Sequence, residues 1–103
     1  MDRGTAAGGG FIAILEELVS VPSTAGGDTI FDGAPTGTVG ATFTLRDGTA
    51  TLTFTGMTPT AGGVGLDYEA GTYELPLAKD QLAKIRAIAP SALPGFVTYW
   101  KLA

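Results

Sequence analysis

Residues 38–55 read TVGATFTLRDGTATLTFT, and the reading of this stretch decides the fold. Two Thr-rich runs of alternating apolar and polar residues flank Asp47-Gly48. A two-residue Asp-Gly link between alternating runs is the strongest short-range signal for a β-hairpin, because a type I′ turn needs two positive φ angles. Placing Asp47 and Gly48 at the tip pairs Phe43 with Leu52, Ala41 with Phe54 and Leu45 with Ala50, all apolar. The alternate pairs Thr42–Thr53, Thr44–Thr51 and Arg46–Thr49 are all polar. The stretch therefore predicts two strands with one packed face and one less apolar face.

Working outward, Thr58–Gly65 is a Gly- and Pro-broken link, and Val64–Tyr68 and Thr72–Leu75 are short strand candidates. The Ala70-Gly71-Thr72-Tyr73 corner predicts a second hairpin between them. Pro90, Pro94 and Gly95 form a loop leading into Phe96–Trp100 as a final strand. On the N-terminal side, Thr29–Phe31 is a short strand candidate and Asp32–Gly37 a loop.

Two segments fit either a helix or a strand. In Phe11–Val21, Phe11, Ile14, Leu15, Leu18 and Val19 match a helical stripe with Glu16 and Glu17 outside. The Val-Ser-Val-Pro ending, and the Gly run in front with no capping residue, favour a strand, which is the reading adopted. In Lys79–Ala89 a short amphipathic helix and a strand fit equally well. Residues 1–10, ending in three glycines, hold too little apolar surface to order themselves and read as a flexible arm. The expectation is one all-β domain over 11–103, with room for one short helix: a small antiparallel β-sandwich or jelly-roll-like fold.

Composition narrows function by exclusion. Of 103 residues 45% are apolar and 16% charged, and the net charge is −4, with no Cys and no His. Average domains carry about 25% charged residues, so this surface suits burial against neighbours. An acidic chain with six scattered basic residues is not expected to bind nucleic acid. The longest apolar run falls far short of the ~20 residues that span a bilayer, and the N-terminus lacks a signal-peptide pattern. Neither membrane insertion nor export by a signal peptide is expected.

Without His or Cys the common general base, the Ser-His-Asp arrangement and nearly all zinc sites are missing. The ten carboxylates have plainer roles at turns and in solvent. Asp28-x-x-x-Asp32-Gly33 lacks the further oxygen ligands of a calcium loop. Gly8-Gly9-Gly10 lacks the Lys and preceding strand of a phosphate loop. No catalytic residue, metal site or cofactor is expected, and the chain is read as non-enzymatic. Phe96, Tyr99 and Trp100 read as half core and half interface. The competing reading is a carbohydrate- or ligand-binding module with Tyr73, Tyr99 and Trp100 as an aromatic platform.

The short Gly-rich arm, the Val-Ser-Val-Pro segment, the Asp-Gly link, the Ala-Gly-Thr-Tyr turn and the closing Phe-Val-Thr-Tyr-Trp strand resemble small virion proteins of tailed bacteriophages. The resemblance is one of style over most of the chain and maps no functional residue. It implies a capsid decoration or cement protein, or a head-fibre base, assembled in the host cytoplasm and carried on the virion. It also implies capsid or other virion proteins as partners and a homo-oligomer, a trimer foremost. Phe11, Ile12, Phe96, Tyr99 and Trp100 are then the candidate partner contacts.

Overall fold

The computed structural model describes residues 10–103; residues 1–9, and with them nearly all of the expected arm, lie outside the described residues. Among the described residues eight strands and one helical turn follow in order: β1 (Phe11–Val21), β2 (Asp28–Thr29), β3 (Gly40–Leu45), β4 (Ala50–Thr53), β5 (Leu66–Tyr68), β6 (Gly71–Leu75), α1 (Lys79–Leu82), β7 (Arg86–Ile88) and β8 (Leu93–Leu102). They form two antiparallel sheets, β1-β8-β3-β6 and β2-β7-β4-β5.

These orders describe one long ribbon, rolled up. β1 pairs with β8, β2 with β7, β3 with β6 and β4 with β5, and rolling then brings β8 onto β3 and β7 onto β4. Eight strands connected in this way make a jelly roll. Between the sheets lies one core, with Phe31, Phe43, Leu45, Leu52, Leu82, Ile85, Val97 and Tyr99 all at 1% exposure or less. Phe31 and Phe43 meet edge to face, their ring centroids 5.0 Å apart.

Neither expected hairpin forms. β3 and β4 do not pair with each other; Asp47-Gly48 carries the chain from one sheet to the other. Only Asp47 has a positive φ, at 71°, whereas a type I′ turn needs two. Gly48 fits closely for a different reason: a Cβ there would lie 3.0 Å from Leu93 Cδ2, a side-chain end that has to give by a few tenths of an ångström. The segment between β5 and β6 crosses the sheets as well, beside the first crossing, since Leu45 faces Gly71 and Ala50 faces Tyr68. Tyr68 and Tyr73 pack edge to face across this corner at 4.9 Å, and the Tyr73 hydroxyl donates to the Glu69 carbonyl at 2.6 Å. Among the described residues consecutive strands pair only at β4–β5, around residues 54–65.

The alternation itself was sound. Ala41, Phe43, Leu45, Ala50 and Leu52 all face the core, because two strands from opposite sheets point inward just as two paired strands share a face. Phe11–Val21 is a strand throughout. Lys79–Ala89 contains both readings: one helical turn, begun where Gln81 Oε1 accepts the Ala78 N–H at 3.1 Å, and then β7. Thr29–Phe31 contributes only Thr29 to a strand, while Ile30 and Phe31 turn into the core. The last strand is longer than expected and begins at Leu93.

Candidate interaction surface

A sandwich has two outward faces, and here they differ. On the β2-β7-β4-β5 sheet the outward Thr51 and Thr53 are buried, against expectation. The chain's own loop 54–65 covers them. The Gly62 N–H donates to Thr51 Oγ1 at 3.0 Å, and Thr51 Oγ1 donates to Asp67 Oδ1 at 2.7 Å. The Thr53 hydroxyl donates to the Met57 carbonyl. Pro59 is fully buried, with its Cγ about 3.1 Å from where a Cβ on Gly27 would stand. Arg86, in the same row, donates to the Gly26 and Gly27 carbonyls at 3.1 and 3.3 Å.

The outward face of the other sheet has no such cover among the described residues. Its pairing sets side chains in rows. One row reads Leu18, Phe96, Thr44, Thr72; the next reads Glu16, Thr98, Thr42, Glu74. Beyond them Ala13 stands beside Trp100, and Phe11 beside Leu102. The polar members hold one another in place. Thr98 donates to Glu16 Oε2 at 3.3 Å, Thr42 to Glu74 Oε1 at 2.9 Å, and the Thr44 and Thr72 hydroxyls share a 2.9 Å bond. Trp100 Nε1 donates to Thr42 Oγ1 at 2.9 Å, pinning the indole against the sheet.

Five of the nine large apolar side chains exposed among the described residues belong to β1 and the end of β8: Phe11, Ile12, Leu15, Leu18 and Leu102. Leu18 is the extreme, at 84% exposure. Of the expected contacts, Phe11 and Ile12 are exposed, while Phe96 and Trp100 are half-buried and reach the open face. Tyr99 must be corrected. It is 0% exposed, points into the core, and donates to Glu17 Oε2 at 3.1 Å, so it offers nothing to a partner. Burial, then the Glu17 carboxylate and its hydrogen bond, then Asp32, hold the phenol proton far more tightly than usual.

The aromatic platform also dissolves. Tyr99 points inward, Trp100 outward, and Tyr73 packs against Tyr68 at the corner between the sheets. Successive strand residues point to opposite faces, so Tyr99 and Trp100 cannot share one. Leu18 was missed because its spacing fits an inward helical stripe as well as an exposed strand, and Leu102 because the expected last strand stops at Trp100, two residues short of the observed one. No sequence signal marked Leu18 for exposure, since β1 and its ten-residue partner β8 are matched along their length.

Comparison with protein-family models, curated proteins and solved structures returned no match. The functional reading therefore rests on the surface itself. Among the described residues no group of three or more Asp or Glu is placed to hold a metal ion. Asp28 and Asp32 serve Thr29 instead: Asp28 Oδ1 accepts its N–H at 2.8 Å and Asp32 Oδ2 its hydroxyl at 3.3 Å. No helix among them is long and apolar enough to cross a membrane.

Proposed function

We propose that this domain is a non-enzymatic assembly module that docks onto neighbouring protein chains through β1 and the open face of its sheet. The observation that carries the proposal is the gathering of exposed apolar side chains on β1 and the end of β8, while the opposite face is sealed by loop 54–65. Apolar patches rimmed by polar residues mark contact sites. Here Glu16 and Glu74 supply the polar band and give the partner a basic or hydroxyl-bearing counterpart to match.

The finer reading is a virion component, a decoration or cement protein or a fibre base, bound to capsid or other virion proteins. Jelly rolls occur in viral capsid domains and in lectins, so the fold alone does not choose. The likeness in sequence style to small phage virion proteins favours the particle. A rigid sheet bearing many modest contacts gains strength when repeated over a lattice.

The test is made on particles purified from the source of this chain. Mass spectrometry is expected to find the chain at a fixed copy number, and a Leu18→Lys, Phe96→Lys double variant is expected to be lost from particles while keeping its β circular-dichroism spectrum. Full occupancy by the double variant removes the face from the proposal. Absence of the wild-type chain removes the virion.

A further inference from the structure

β1 is the outer strand of its sheet, so one side of its backbone meets no other strand among the described residues. The other outer strands are short: β2 has 2 residues, β5 has 3 and β6 has 5, whereas β1 has 11. Proteins blunt long exposed edges with charged side chains, especially Lys, with Pro, with bulges or with inward-pointing charges, and an edge without them pairs with other strands. β1 contains neither Lys nor Pro; its charges are the outward Glu16 and the inward Glu17, whose carboxylate accepts from Tyr99, and its one irregularity lies between Ala13 and Leu15. From Leu15 to Val21 the strand is regular.

Its exposed apolar side chains occur on both faces. Leu18 lies on the outer face with Phe96, while Leu15, paired with the inward Tyr99, lies on the inner face and is still 38% exposed. A body packed on the open face covers only the first. A strand added alongside covers both, because cross-strand neighbours form on each face.

We infer that Leu15–Val21 pairs antiparallel with the same segment of a second copy across a two-fold axis at Leu18. Facing residues must point to the same side, so the axis falls on a residue and not between two. An axis at Glu16 or Glu17 sets carboxylate against carboxylate. At Val19 it leaves Leu15 without a mate in the strand. At Leu18 the whole regular segment is used: Leu15 faces Val21, Glu16 faces Ser20 and Glu17 faces Val19. No like charges meet, and the most exposed large apolar residue of the described chain lies on its own mate.

The contact is small. About 23 Å of strand edge with its flanking side chains buries on the order of 400 Å² per copy, near half of the roughly 800 Å² per partner of a standard interface. The pair is therefore concentration-dependent in solution, and a lattice that holds copies side by side strengthens it. Pairing joins two open faces into one continuous eight-stranded surface. The inference rests on the assembly reading for its purpose, and its geometry is tested separately.

The chain has no cysteine, so single-Cys variants report contacts cleanly. Under mild oxidation Leu18→Cys is expected to yield about tenfold more covalent dimer than Phe96→Cys, whose thiols would stand more than one strand further apart than a disulfide can bridge. Mixing Glu16→Cys with Ser20→Cys is expected to give heterodimers that Glu16→Cys alone does not give. No dimer from Leu18→Cys overturns the inference. Equal yield from Phe96→Cys replaces it with face-to-face packing, and self-linking of Glu16→Cys replaces the register. A chain that fails to link yet occupies particles keeps the assembly reading and loses the pairing; one that links yet is absent from particles does the reverse.

Discussion

The buried Tyr99 hydroxyl donates to Glu17 Oε2 at 3.1 Å, joining the central strand β8 to the outer strand β1 from the core side. Tyr99→Phe leaves that carboxylate without its donor and is expected to cost about 1–2 kcal/mol at neutral pH, read from urea midpoints.

The same pair sets an alkaline limit. The unfolded phenol loses its proton near pH 10, while the folded one keeps it to higher pH. Above pH 10 unfolding therefore releases a proton, and stability falls as pH rises, by up to about 1.4 kcal/mol per pH unit for one group. Below pH 10 the contribution is fully present. Tyr99→Phe is expected to be less stable at pH 7 yet to show a flatter decline between pH 10 and 12 in thermal melts. An unchanged slope would mean that Tyr99 is not the titrating group.

Gly95 sits in mid-strand where an added Cβ would come within 2.9 Å of Phe43 Cε1 and 3.0 Å of the Thr44 carbonyl oxygen. Backbone cannot yield as a side-chain tip can. Gly95→Ala is expected to destabilise by about 2–3 kcal/mol, the cost of overpacking a filled core. Gly48→Ala, which meets only the end of Leu93, is expected to cost about 1 kcal/mol or less. Equal losses in the two variants would contradict the packing described at β8.

Thr51 ties loop 54–65 to the sheet, accepting from Gly62 within the loop and donating to its cross-strand neighbour Asp67 on β5. Thr51→Val keeps the shape and removes both bonds. The expected result is a loss of about 1–3 kcal/mol, with faster protease cleavage within 54–65 than elsewhere. Uniform cleavage along the chain would show that the loop is not separately anchored.

Trp100 is the only tryptophan, and it lies half-exposed on the open face. Any partner seated there should dry the indole. Its emission is expected to shift to shorter wavelength as the partner is titrated, and Leu18→Lys, being on the surface, is expected to change stability by less than about 0.5 kcal/mol while reducing that shift. Emission that stays constant under saturating partner would place the contact elsewhere.

How much of this was legible follows from what a two-residue period encodes. Alternation in 38–55 states which side chains face inward, and Phe43, Leu45 and Leu52 do so. It does not state which strand lies alongside. Asp47-Gly48 satisfies a sheet crossing as well as a hairpin, and the choice was made by β6 and β8, distant in sequence, which occupy both edges of β3. Tyr99 and Trp100 look alike as a pair of terminal aromatics; only the phase of β8 sends one into the core and the other out. Phe11 and Ile12 were singled out because they open an apolar run after glycines, and both are exposed. Leu18 was not, since nothing in the sequence reveals that its strand has a neighbour on one side only among the described residues.

The ribbon has a consequence for how the chain reaches its fold. Its tip, β4 against β5, closes a short loop, whereas Tyr99 and Glu17 are 82 residues apart. Loop-closure entropy rises with separation, so the cheapest order zips from the tip outward, with β3–β6 and β2–β7 before β1–β8. Contacts this non-local belong to the slow class of two-state folders, which take milliseconds to seconds. The strand that closes last is the one with the most exposed apolar surface, and pulse-labelled hydrogen exchange should find it unprotected after β4 and β5 are already shielded. Until it closes, β8 itself is an unshielded edge, and crowded synthesis would be the condition under which strands of separate molecules exchange.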